Sequence, residues 1–163
     1  MPHIHTKPGQ HDFTVSAFII RTDFDEPKAM LHRHKKLGKW LQFGGHVELD
    51  ENPWQAITHE ILEETGYDMD QLRLLVAVKG PGADDAIAHP IPFSFNTHKF
   101  DESHNHTDIG YAFGATGKPN NMIGDDESAD IVCFTRSELN DLPSSEIHDN
   151  TKQAFFYIFD NLL

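Results

Sequence analysis

The chain has 163 residues, of which 38% are hydrophobic and 12 are phenylalanine, so it can form one folded domain with a real core. Asp and Glu outnumber Lys and Arg by 26 to 13, and the net charge of −13 disfavours duplex nucleic acid and anionic membranes as partners. The single cysteine, Cys133, excludes an internal disulfide framework and no apolar run approaches the roughly 20 residues that span a bilayer, so we expect a soluble, cytoplasmic protein.

The chain is predicted to begin with a loosely held arm, residues 1–11, and to form a single domain over residues 1–163. Runs rich in β-branched and aromatic residues, bounded by polar turns, predict seven strands. These strands cover residues 13–21, 28–34, 40–43, 72–78, 92–100, 108–115 and 130–135. Asn52 and Pro53 predict a helix start, and Gly66 predicts its end. A second, amphipathic helix is predicted over residues 150–162, so the element order indicates a sheet with helices on its faces.

Three carboxylates share one face of the first predicted helix. Glu60, Glu63 and Glu64 stand at i, i+3 and i+4, and they rise over only about 6 Å of helix axis. Like charges so placed repel one another, and a hard divalent cation such as Mg²⁺ compensates them well. The alternative is a solvated face, because Glu is also a good helix former.

The spacing around this helix resembles the Nudix box of MutT-like hydrolases. That box is a Gly, five residues, a Glu, seven residues, Arg-Glu, an aliphatic residue, any residue, Glu-Glu, any residue, a Gly and a hydrophobic residue. Its specified positions are occupied here by Gly45, Glu51, His59, Glu60, Ile61, Glu63, Glu64, Gly66 and Tyr67. Every specified position matches except the Arg, which is His59 in this chain.

The resemblance implies an α/β domain with the Nudix fold, an α/β/α sandwich around a mixed β-sheet. It also implies hydrolysis, dependent on Mg²⁺ or Mn²⁺, of a diphosphate linkage in a nucleoside diphosphate linked to another group. Carried over position by position, Glu60, Glu63 and Glu64 become the metal ligands, and the carbonyl of Gly44 is a further candidate. The implied partner is a small nucleotide or diphosphate, whose identity stays open, as does a homodimer.

The departure at His59 leaves two hypotheses. In the family the Arg of the box pairs with the Glu that is Glu51 here, and Gly45 and Gly66 complete the motif around them. His59 can also bond Glu51, but more weakly than the permanently charged fork of Arg. The protein is therefore either an active enzyme with a modified loop anchor, or a Nudix-fold module that binds a nucleotide for regulation with weak or no catalysis.

Candidate residues also lie outside the box. Nudix enzymes often take an extra acidic group from another loop, and Glu127 is our first choice among residues 125–127. The candidate catalytic carboxylates are thus Glu60, Glu63 and Glu127. Arg33, Lys35 and Lys39 belong to a basic stretch before the box and are candidate substrate-binding residues; the alternative is a solvated turn.

Three pairs of histidines have one residue between their members: His3/His5, His32/His34 and His104/His106. On a strand such side chains face the same way, so each pair could chelate a metal. No further ligand stands at a recognised zinc spacing, so we expect these to be surface histidines.

Overall fold

The computed structural model describes residues 7–163. Eight strands form the sheet: β1 His11–Arg21, β2 Lys28–Arg33, β3 Trp40–Leu41, β4 Phe43–His46, β5 Leu72–Leu74, β6 Ser94–Lys99, β7 Asn105–Ala115 and β8 Ile131–Thr135. The helices are α1 Pro53–Thr65, α2 Arg136–Asp141 and α3 Asp149–Asn161, with a 3-10 turn at Met69–Gln71. No helix among these residues is long and apolar enough to cross a membrane.

One mixed sheet organises the domain, as the family resemblance implies. The central path runs β3-β2-β1-β7-β5, while β4 pairs with β1, β6 with β7, and β8 with β2. Strands β1 and β7 are parallel along their whole length, and the other pairings are antiparallel. The chain thus places β4, which carries the glycine pair, beside the middle of the sheet.

Side chains along β1 point alternately to the two faces of the sheet and contribute to two hydrophobic cores. Val15, Ala17 and Ile19 face the core under α1, whereas Phe18 and Ile20 face the core under α3. Successive strand residues point to opposite faces, so an almost continuously apolar β1 is covered on both sides. The result is the predicted sandwich of helices around a sheet.

Helix α1 begins and ends at the capping residues that the sequence predicts. The side chain of Asn52 accepts hydrogen bonds from the backbone N–H groups of Trp54 and Gln55, both at 3.0 Å. Gly66 ends the helix in the left-handed region, with φ 76°, and its N–H donates to the carbonyl of Leu62. These two caps hold the three glutamates in a defined helical register.

Some element boundaries differ from the prediction. Gly44 and Gly45 lie inside β4, paired with Ser16 and Val15, instead of following a strand. The strand predicted over residues 72–78 ends at Leu74. Helix α2 was not predicted, although Thr135 caps it through a hydrogen bond from the N–H of Glu138. A helix this short has no hydrophobic period that a sequence pattern could reveal.

Candidate active site

Two glutamates of α1 lie close to the backbone of the glycine pair of β4. The N–H of Gly44 donates to Oε2 of Glu64 at 2.7 Å. A Cβ at Gly45 would lie 2.0 Å from Oε1 of Glu60, so the carboxylate could keep this position only beside a glycine. Gly44 adopts φ +132°, and a Cβ there would lie 2.0 Å from the carbonyl oxygen of Val15. The backbone at Gly44 therefore requires glycine, and Gly45 lets the Glu60 carboxylate approach β4.

Burial keeps the glutamates partly protonated when no cation is present. Burial raises the pKa of Glu64 to about 9 against the opposing hydrogen bond from Gly44, and Glu60 and Glu127 raise it further. Burial likewise raises the pKa of Glu60 to about 7, while His59 lowers it and Glu63 and Glu127 raise it. A divalent cation would favour the ionised forms of all these groups, so the donor set fits Mg²⁺ or Mn²⁺.

The carboxylates of the box helix do not all point toward one common position. Within residues 7–163, no three His, Cys, Asp or Glu side chains have the arrangement of a finished metal site. The glutamates differ in exposure, since Glu64 is buried and Glu63 is exposed. An ion held by these groups would require their side chains to turn toward one point.

Glu127 reaches this region through a loop that is hydrogen-bonded to the end of α1. The N–H of Gly124 donates to the carbonyl of Glu63 at 2.7 Å, and the N–H of Glu127 donates to the carbonyl of Gly124 at 3.0 Å. The charge of Glu127 contributes to the raised pKa values of both Glu60 and Glu64. The structure thus brings Glu127 near the box, where the sequence analysis expects an extra carboxylate.

His59 contacts the loop glutamate in place of the family's Arg. Its Nδ1 lies 2.9 Å from Oε2 of Glu51, and its Nε2 lies 3.5 Å from Oε1 of Glu60. The other oxygen of Glu51 accepts a hydrogen bond from the N–H of Glu48 at 2.9 Å. One imidazole therefore bridges the box loop and α1.

The three candidate basic residues contact two different segments. Arg33 pairs with Glu146 at 2.9 Å, and Nζ of Lys39 donates to the carbonyl of Ser144 at 2.9 Å. Nζ of Lys35 donates to the carbonyl of Asp126 at 2.5 Å, one residue before Glu127. Lys35 is thus the member of this group with a contact to the Glu127 loop.

A histidine outside the box also faces it. His32 is 4% exposed, and its Nδ1 lies 3.9 Å from Oε1 of Glu64 without a hydrogen-bond partner among residues 7–163. Burial lowers the pKa of His32 to about 4, so its ring is neutral at neutral pH. The sequence places His32 on a strand close to the box, but it does not predict the contact with Glu64.

The expectation of surface histidines is wrong for three members of the pairs. His32, His104 and His106 are buried; strand pairing places His32 and His106 inside the sheet, and His104 directly precedes β7. His34 is half-buried, and His3 and His5 lie outside the described residues.

Comparisons with known sequences identify the family of the chain. A model of the NUDIX domain matches residues 12–155. A Caenorhabditis elegans protein named as a nudix hydrolase is 35% identical over 75 residues, which cover 44% of this chain and 20% of that protein. The chain spans less than half the length of the curated relatives that it matches.

Solved structures show the same fold. A NUDIX-family hydrolase from Clostridium perfringens superposes with a TM-score of 0.72 at 25% identity, covering 93% of this chain and 98% of that one. An Ap4A hydrolase from C. elegans superposes with a TM-score of 0.68 over the same shares of the two chains, at 12% identity, and so supports the fold alone. The domain match spans the glycine pair, α1 and the Glu127 loop, and the chain belongs to the Nudix hydrolase family.

Proposed function

We propose that the protein hydrolyses a diphosphate linkage in a nucleoside diphosphate joined to another group, with Mg²⁺ or Mn²⁺ as cofactor. The observation that carries this proposal is the meeting of Glu60 and Glu64 with the glycine pair of β4. Glu63 stands one helical turn from Glu60, and Glu127 reaches the same region from its own loop. Four acidic groups beside this glycine pair are suited to bind a cation, which in turn can bind phosphates.

The glutamates of α1 and the carbonyl of Gly44 are the groups that would hold the cation. When bound, the ion offsets charge on the phosphate oxygens and lowers the pKa of a water molecule. In the reaction, a water oxygen forms a bond to one phosphorus, the bridging P–O bond breaks, and the leaving phosphate oxygen keeps the electron pair. A carboxylate accepts the proton of the water, and Glu127 is our candidate for that role, with Glu60 and Glu63 as the alternatives inside the box.

The contacts of Lys35 support a role in attracting the substrate. Its ammonium group lies against the Glu127 loop, where a polyphosphate would bring negative charge to an acidic protein. Arg33 and Lys39 extend the basic surface toward the segment before α3. We propose the three residues as substrate contacts, with Lys35 nearest to the reacting phosphates.

The His59–Glu51 contact supports an active enzyme. It supplies the link between loop and helix that the box Arg supplies in the family, although the link is weaker and depends on pH. The same substitution favours the second candidate, a Nudix module that binds a nucleotide for regulation. The single cysteine supports a reducing compartment, and we propose a cytoplasmic location.

A hydrolysis screen tests the two functions against each other. Nucleoside triphosphates, ADP-ribose, dinucleoside polyphosphates and sugar nucleotides would be incubated with the protein and Mg²⁺ or Mn²⁺, and phosphate products measured. We expect metal-dependent turnover of one class, abolished in Glu64→Gln and kept in Glu102→Gln, which changes an exposed glutamate. Tight binding of one nucleotide without turnover of any compound would establish the regulatory module instead.

A further inference from the structure

A second group of titratable side chains lies across three strands, on the other side of β4 from the glutamates. We call Asp12, His46, His104 and His106 the histidine cluster. Parallel pairing sets Asp12 of β1 beside His106 of β7, and antiparallel pairing sets His46 of β4 opposite Thr14, the next residue on the same face of β1. His104 directly precedes β7. The sheet therefore gathers side chains that are up to 94 positions apart in the sequence.

The members of the cluster are close together and shielded from water. Nε2 of His104 lies 3.2 Å from Nε2 of His106. The ring of His46 meets the ring of His106 edge-on, with centroids 5.1 Å apart, and Nε2 of His46 lies 3.8 Å from Oδ2 of Asp12. His104 is 3% exposed, Asp12 5% and His106 9%.

Neighbouring groups orient His104 toward the middle of the cluster. Its Nδ1 lies 3.2 Å from Oδ1 of Asp101, which also accepts hydrogen bonds from the N–H groups of Ser103 and His104. The hydroxyl and the N–H of Ser103 lower the pKa of Asp101 to about 2, so this carboxylate is an acceptor at neutral pH. His104 therefore carries its proton on Nδ1 and turns the lone pair of Nε2 toward His106. A carboxylate behind an imidazole is the arrangement that orients metal-binding histidines.

The distances fit two ligands of one ion. Two nitrogens bound at about 2.0–2.1 Å to a tetrahedral Zn²⁺ stand about 3.3 Å apart, close to the 3.2 Å between His104 and His106. A hydrogen bond between two neutral rings would explain that contact as well. It would not explain His46, whose Nε2 is buried with no hydrogen-bond partner among residues 7–163.

His106 is also in the form that binds metals. Burial lowers the pKa of His106 to about 4, so its ring is neutral at neutral pH and has a lone pair to donate. Imidazole ligands suit zinc and its neighbours in the first transition series, whereas Mg²⁺ prefers oxygen.

We propose that the histidine cluster binds one transition-metal ion of the zinc class, distinct from the cation held by the glutamates of α1. His104 and His106 supply two ligands, His46 the third, and Asp12 or water the fourth. Since no three such side chains within residues 7–163 already surround one point, the ring of His46 turns toward the other two when the ion binds. His46 lies two residues from Gly44 along β4, whereas Asp12, His104 and His106 come from β1 and from β7 or the residue before it.

Zinc binding in excess Mg²⁺ tests the proposal. Zn²⁺ would be titrated against the protein in competition with a chromophoric chelator, in the wild type and in the Glu60→Gln/Glu63→Gln variant that weakens the carboxylate site. We expect one equivalent of zinc to bind in both backgrounds. His46→Asn and His106→Asn should each weaken binding at least about tenfold, as the loss of one ligand does, while His89→Asn, in the loop between β5 and β6, should leave it unchanged.

Two outcomes would overturn the proposal. One is the absence of zinc binding in excess Mg²⁺; the other is binding that persists in both histidine variants. Circular dichroism of each variant checks the fold. If His106→Asn does not fold, His46→Gln decides the matter, because Nε2 of His46 has no hydrogen-bond partner among residues 7–163 that folding would lose.

Discussion

The two sides of β4 carry two clusters with opposite chemistry. Gly45 faces the carboxylates of α1, whereas its neighbour His46 faces imidazoles and Asp12. Burial acts on both and favours the neutral form in each case, so it raises the pKa of Glu64 and lowers the pKa of His106. In the two proposed sites the ligand atoms differ accordingly, with oxygen atoms that suit Mg²⁺ on one side and nitrogen atoms that suit zinc on the other.

The largest effect that separates the two clusters should come from the glutamates. We expect Glu60→Gln/Glu63→Gln to lower kcat about 1,000-fold, equivalent to ~4 kcal/mol of activation free energy, because two proposed cation ligands lose their charge. Zinc affinity should stay within about twofold of the wild type. Steady-state hydrolysis and zinc titration on the same preparation measure both. Unchanged turnover would contradict the proposed cation site.

Gly45→Ala should give the next largest effect. The new Cβ would lie 2.0 Å from Oε1 of Glu60, so that carboxylate must move away from β4. We expect about a 30-fold loss of kcat/KM, or ~2 kcal/mol, and a higher Mg²⁺ concentration for half-maximal activity. Gly80→Ala is the matched control, since a Cβ at Gly80 meets nothing within 4 Å. Equal activity of the two variants would show that the close approach at Gly45 has no role.

The stability of the metal-free protein should respond to pH through both clusters. The folded protein retains the proton of Glu64 up to a pKa of about 9, while the unfolded chain loses it near 4.5, so this contribution to stability falls as pH rises between those values. His106 acts in the opposite direction, since its pKa of about 4 lies below the usual 6.5, and stability falls as pH drops from 6.5 toward 4. Each group changes the free energy of unfolding by at most about 1.4 kcal/mol per pH unit.

Urea denaturation in EDTA between pH 4 and pH 8 tests this pH dependence. Glu64→Gln should flatten the profile above pH 5, and His106→Asn should flatten it below pH 6.5. If Glu64→Gln keeps the wild-type pH dependence of the free energy of unfolding, the pKa of this carboxyl is not raised as its burial implies.

The smallest expected effect concerns the anchor between the box loop and α1. His59→Ala removes the 2.9 Å contact with Glu51, and we expect about a fivefold loss of kcat/KM, or ~1 kcal/mol, well below the loss in Glu64→Gln. Hydrolysis assays of both variants at one pH give the comparison. A loss in His59→Ala as large as that in Glu64→Gln would assign His59 a direct role in the reaction.

Much of the carboxylate site could be predicted because it is local. Asn52, Pro53 and Gly66 define the ends of α1, and helical geometry then places Glu60, Glu63 and Glu64 on one face. Only the fold shows what the glycines before the helix approach, since the neighbouring atoms belong to the Glu60 side chain and to the backbone of Val15 in another strand.

The sequence by itself determined the family, the position of the box helix and the residue types of the proposed cation site, since these depend on spacing within about 23 positions. Tertiary structure alone decided that Arg33 pairs with Glu146, that His32 faces Glu64, and that His46, His104 and His106 are neighbours. Strand pairing joins positions that are far apart in the chain, and no local periodicity records which strands will meet. The carboxylate cluster can thus be recognised from a motif, whereas the histidine cluster exists only once β1, β4 and β7 have assembled.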